Sequence, residues 1–113
     1  MTVGVSPTLE LLGQLVAASA EARSMAADSV TDRTLRLDGV EAAVISRVLL
    51  WLALVETDDV AREAQLHALA ELAEYGLVPT EILDDVGQLS RAELHGSSIE
   101  HFDYLRSLSV TET

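Results

Sequence analysis

Within EAQLHALAELAEYG, residues 63–76, a histidine stands between two glutamates, Glu63 four residues before His67 and Glu71 four residues after. Residues four apart share one face of a helix, so these three side chains would project together. Carboxylates and an imidazole are donor types that hold a divalent cation or shuttle a proton. The spacing does not match the helical zinc signature, in which two histidines flank a glutamate. Zinc sites also draw on more than one His or Cys, backed by buried groups. An exposed helix face offers no pocket to perturb a pKa or exclude water. The expectation is therefore no catalytic residue, no metal and no cofactor. The strip reads either as a solvated face or as a face that meets a partner. His95 and His101, six apart across a glycine turn, form a second possible pair with no supporting ligands.

The elements that must position these residues are helical. Aromatic residues are 4% of the chain and hydrophobic residues 49%, so the core must be Leu, Val and Ala. Ser6-Pro7 is a helix start, Ser as cap and Pro at the first position, and a helix is expected from about Pro7 to Ala27. Residues 28–39, with Leu35 and Leu37 alternating around Arg36, read as irregular. Asp38 caps the next helix, with Glu41 at capping-box spacing. From Val40 to Val55 that helix is apolar nearly all round, which suits the middle of a bundle, so Trp51 is expected in the core. Thr57 to Asp59 turn the chain into a helix over Asp59 to Tyr75, stopped by Gly76 with Pro79 behind. Thr80 opens a helix to Leu89, interrupted near Gly87. Capping-box spacings at Ser90–Glu93 and Ser97–Glu100 open a short turn and a last helix to about Leu108, with Phe102 and Leu105 as core anchors. The expected fold is all-α, one domain over 1–113 with 1–6 and 109–113 frayed. It is a compact bundle of five or six helices with a central apolar helix and a HEAT-like αα-hairpin. Only one such hairpin is visible, short of the three a solenoid needs.

Charge narrows the function. Nineteen acids face seven bases, all arginine, for a net charge of -12. Such a surface repels nucleic-acid phosphates and anionic membranes. It attracts basic proteins and speeds their encounter, and it also serves solubility. No cysteine is present, which excludes disulfides, thiolate metal sites and thiol nucleophiles. The longest uncharged apolar run, Val48 to Val55, is too short to span a bilayer, and no basic region opens the chain as in a signal peptide. A cytoplasmic protein is expected. Glycine-rich phosphate loops, nucleophile elbows, basic patches and sustained heptads are all missing from the sequence.

Acids recur in each element after the apolar helix. The candidate partner-binding set is Asp58, Asp59, Glu63, His67, Glu71, Glu74, Asp84, Asp85, Asp103 and Tyr104. Tyr104 joins because tyrosine carries contact area with a polar tip; the plainer reading is a half-buried residue at the domain edge. The phrases DDVAREAQLHALAELAEYGLVPTEIL and GSSIEHFDYL resemble small acidic all-helical actinobacterial proteins that act as immunity proteins of polymorphic toxin systems. The resemblance spans about residues 40–105 and carries over no functional residue. It implies an antitoxin that neutralises a cognate, basic toxin domain by stoichiometric binding, its acids standing where substrate phosphates would lie. The alternative is a helical adaptor or complex subunit, which should show a contiguous apolar patch instead. A nucleic-acid mimic would space its acids like phosphates. A homodimer is expected if the other helices cannot cover the apolar one.

Overall fold

The computed structural model describes residues 7–109. Six α-helices follow one another: α1 (Pro7–Leu15), α2 (Ala20–Arg33), α3 (Gly39–Val55), α4 (Asp59–Glu74), α5 (Thr80–Asp85) and α6 (Ser97–Ser107). Three 3-10 turns, Thr34–Arg36, Val86–Gln88 and Arg91–Glu93, fill the connections, and no strand occurs among the described residues. The chain is an all-α bundle. The proposed cap Ser6 lies outside the described residues.

The expected first helix is two helices. Residues 16–19 leave the helix, and Ser19 restarts it by accepting a hydrogen bond from the Ala22 amide at 3.0 Å. Alanine-rich sequence favours continuing the helix, but a tertiary bond competes. Arg23 donates to the freed carbonyls of Ala17 and Ala18 at 3.0 and 2.8 Å. Helix α2 then runs on to Arg33, through half of the stretch expected to be irregular. Ala26, Ala27 and Val30 are buried on one side of it, and Thr34 closes its end by donating from Oγ1 to the carbonyls of Val30 and Thr31.

The capping box at α3 forms as its spacing implies. Asp38 accepts from the Glu41 amide at 2.8 Å, and Glu41 accepts from the Asp38 amide at 3.0 Å. Asp58 caps α4 through the Ala61 amide. Gly76 ends α4 with φ at 70°, beyond the reach of most side chains. The Leu77 amide bonds the Leu72 carbonyl and the Gly76 amide bonds the Ala73 carbonyl, which is the Schellman pattern. Further on, local signals are weaker. Helix α5 gives way to a 3-10 turn at Val86, and Ser90 and Gly96 make no side-chain cap.

The centre of the bundle is α4, not the more apolar α3. Helix α4 packs on α2, α3 and α6. Its buried side includes Ala61, Ala64, Leu66, Ala68, Leu69 and Leu72. The alanines permit the close approach to α2, the most extensive helix contact in the fold. Helices α3 and α4, joined by three residues, form the expected hairpin. Helix α3 buries only Ala42, Ile45, Ser46, Leu49, Leu50 and Ala53. Its other side faces solvent, so Trp51, expected in the core, is 59% exposed. The bundle is only 19 Å thick along its shortest axis, and a helix with side chains takes about 10–12 Å. Two layers of helices cannot enclose α3 from both sides.

Candidate functional site: the acidic face of α2 and α4

The polar strip of α4 lies where its spacing puts it. At about 100° per residue, Glu63, Glu74, His67, Val60 and Glu71 occupy the arc left free by the core. Helix α6 reaches the edge of that arc. His101 Nε2 lies 2.8 Å from Glu63 Oε2. The His101 ring stacks on His67, centroids 5.0 Å apart and planes inclined by 26°. His101 therefore joins His67 and Glu63, and His95 stays exposed on its turn. No group of three or more His, Asp or Glu among the described residues is arranged to hold a metal ion.

The ten candidate binding residues divide by what they already do. Asp58 caps α4, Glu63 meets His101, and His67 stacks on the same ring. Asp85 pairs with Arg47 at 2.8 Å, closing α5 onto α3. Asp103 takes a bidentate pair from Arg91, two bonds of 2.9 Å. That guanidinium holds the Asp103 carboxyl below the usual carboxylate range. Asp84 accepts from Ser109 Oγ at 2.7 Å. Tyr104 is half-buried and packs on the core. Asp59, Glu71 and Glu74 remain on the surface with no internal bond among the described residues.

Helix α2 supplies acids outside the candidate set. Glu21, Asp28 and Asp32 are exposed, and on a helix they fall within about 40° of one another. They surround Met25, which is 64% exposed. Where α2 meets the start of α4, Ala20, Glu21, Ser24, Met25, Asp58 and Val60 line a cleft of about 290 Å³. Val60, exposed itself, belongs to the same α4 strip as Glu71 and Glu74. The two helices thus present one surface in which Met25 and Val60 are bordered by carboxylates. The signal for α2 was present in the sequence, in acids at 21, 28 and 32, but it requires a helix running to residue 33.

The most completely bonded polar group lies elsewhere. Glu56, at the α3–α4 corner, is 4% exposed. Arg23 donates to both its oxygens at 2.8 and 2.7 Å. Gln65 adds a bond of 2.8 Å, and the amides of Thr57 and Asp58 donate at 3.2 and 3.1 Å. Arg62 donates to the Glu56 carbonyl. The Arg23 guanidinium, outweighing the cost of burial, lowers the Glu56 pKa to about 2. Arg23 spends its remaining bonds on Ala17 and Ala18. The cluster ties the α1–α2 link to the α3–α4 hairpin. Residues 23 and 56 are 33 apart, and nothing in local sequence pairs them.

No helix among the described residues is long and apolar enough to cross a membrane. No family model matches the chain, and neither the curated proteins nor the solved structures yield a significant match.

Proposed function

We infer that the chain is an immunity protein or antitoxin that neutralises a basic bacterial toxin domain by stoichiometric binding, without a catalytic step. The observation that carries the reading is the α2–α4 face. Among the described residues, Glu21, Asp28, Asp32, Asp59, Glu71 and Glu74 are carboxylates with no internal partner, arranged about the exposed apolar pair Met25 and Val60. An apolar centre with a charged rim is how protein interfaces are commonly built. Rim acids would steer a cationic partner, and Met25 and Val60 would set its residence time. The partner's cationic groups would be those that otherwise hold an anionic substrate, so that occupying them blocks the toxin. Asp85, Asp103 and Asp84, bonded within the fold, would contribute less.

Affinity capture of the tagged chain from its native host, with mass spectrometry of the eluate, tests this. The expected result is one basic protein at equal stoichiometry, toxic when expressed alone and harmless when co-expressed. Recovery of several subunits of one large complex would favour an adaptor instead. That second reading has its own support in the apolar side of α3.

A further inference from the structure

The exposed side of α3 is a single apolar stripe. Val40, Val44, Trp51 and Val55 are 76%, 45%, 59% and 72% exposed, and they fall within about 60° of the helix circumference. No charged side chain interrupts them. Arg47 lies on one flank of the stripe and half-buried Val48 on the other. A contiguous apolar patch of this kind on a soluble protein is often a contact surface.

We propose that this stripe is the seam of an antiparallel homodimer, α3 against α3 of a second copy. This inference is independent of the acidic-face reading. The case for a second copy is the symmetry of the stripe itself. A two-fold axis perpendicular to α3 and passing between Arg47 and Val48 sets Val40 of one copy opposite Val55 of the other, and Val44 opposite Trp51. A two-fold interface must be self-complementary in this way, and an arbitrary apolar face is not. Small valines then oppose the large indole, and bulk is matched along the seam. The same axis brings Val48 against its own copy on one flank. On the other flank it brings together two Arg47–Asp85 pairs, each closed at 2.8 Å, as a rim of alternating charge.

The ends agree as well. The helix dipoles oppose. At the Val55 end, Val16, Leu52 and Val55 border an open groove of about 220 Å³, into which Val40 of the second copy would project. A 17-residue helix is about 25 Å long. Its seam lies at the small end of specific interfaces, which begin near roughly 1,200 Å², so the dimer is expected to form at micromolar concentrations. Each copy carries a charge of -12. Association therefore tightens as salt screens the repulsion, opposite to the salt response expected for binding a basic protein.

Trp51 is the chain's one tryptophan, so its emission reports the seam directly. Sedimentation equilibrium from about 1 to 300 µM, a range that brackets micromolar Kd values, should show the mean mass rising from 12.1 kDa toward twice that. Trp51 emission should shift to the blue in step. Salt raised from about 50 to 500 mM should tighten association roughly threefold or more. Trp51→Glu, or Val44→Lys should the first variant fold poorly, should stay monomeric with an unchanged helical spectrum. The chain has no cysteine, so Val40→Cys and Val55→Cys report geometry cleanly. Their mixture should cross-link, while each alone should not, because like positions lie about 22 Å apart in an antiparallel pair. A monomer at every concentration would overturn the proposal. So would a dimer that survives both charged variants, or single-cysteine variants that cross-link as fast as the mixture.

Discussion

Glu56 concentrates more of the fold's polar bonding than any other side chain described here. It is a buried carboxylate with five donors, and its partner Arg23 reaches it from another helix. Replacing it by Gln leaves Arg23 without its counter-charge, a loss of about 3 kcal/mol or more for a broken buried pair. Its pKa falls from 4.5 to about 2 on folding. The folded state thus binds this proton more weakly than the unfolded chain. The stabilisation is complete above about pH 4.5 and is lost as pH drops toward 2, about 3 kcal/mol in all. Urea midpoints of wild type and Glu56→Gln should converge over that window. Midpoints that differ equally at pH 7 and pH 2.5 would contradict the assignment. Asp103 and Arg91 are a surface pair, and Asp103→Asn should leave the midpoint nearly unmoved. At this scale the sequence showed which acids exist but not which are occupied. Glu63, Asp85 and Asp103 look as free in sequence as Glu71, and only tertiary partners 38, 38 and 12 residues away separate them.

Helices were legible where the signal is local. Asp38 with Glu41, Asp58, and Gly76 mark their ends through bonds to residues within a few positions, and all three form. Gly76→Ala should cost about 1 kcal/mol, because the residue sits at φ 70°. A thermal midpoint unchanged by that substitution would argue against the Schellman turn. The break at residues 16–19 was not legible, because it depends on Arg23 finding Glu56. The place of α3 was misjudged for a different reason. Apolarity all round a helix implies enclosure, whereas a bundle two helices deep leaves one side open. Leu49, buried, and Trp51, exposed, measure the two sides. Leu49→Ala should cost between about 2 and 5 kcal/mol. Trp51→Ala should cost far less in dilute solution, where no second copy is bound. Equal losses would place Trp51 in the core after all.

For the molecule as a whole, the distribution of charge matters more than its sum. The chain carries -12, yet one side of α3 is an uncharged stripe and the α2–α4 side gathers free acids around Met25 and Val60. Composition announced an acidic protein and periodicity announced an all-α bundle. Spacing places the α4 acids on one face, but it cannot join Asp28 and Asp32 to them, because a first helix ending near Ala27 stops short of both. With both helices in place, the surface offers two distinct contacts, one for a cationic partner and one for a second copy.

The most direct test of the acidic face is capture from the native host with three baits side by side. These are wild type, a Glu21→Ala/Asp28→Ala/Asp32→Ala/Glu71→Ala variant, and Trp51→Glu. The account predicts that wild type and Trp51→Glu retain the same basic, toxic protein at equal stoichiometry, and that the quadruple variant loses it while keeping its helical spectrum. Retention of that partner by the quadruple variant, or its loss in Trp51→Glu alone, would contradict the assignment of this face.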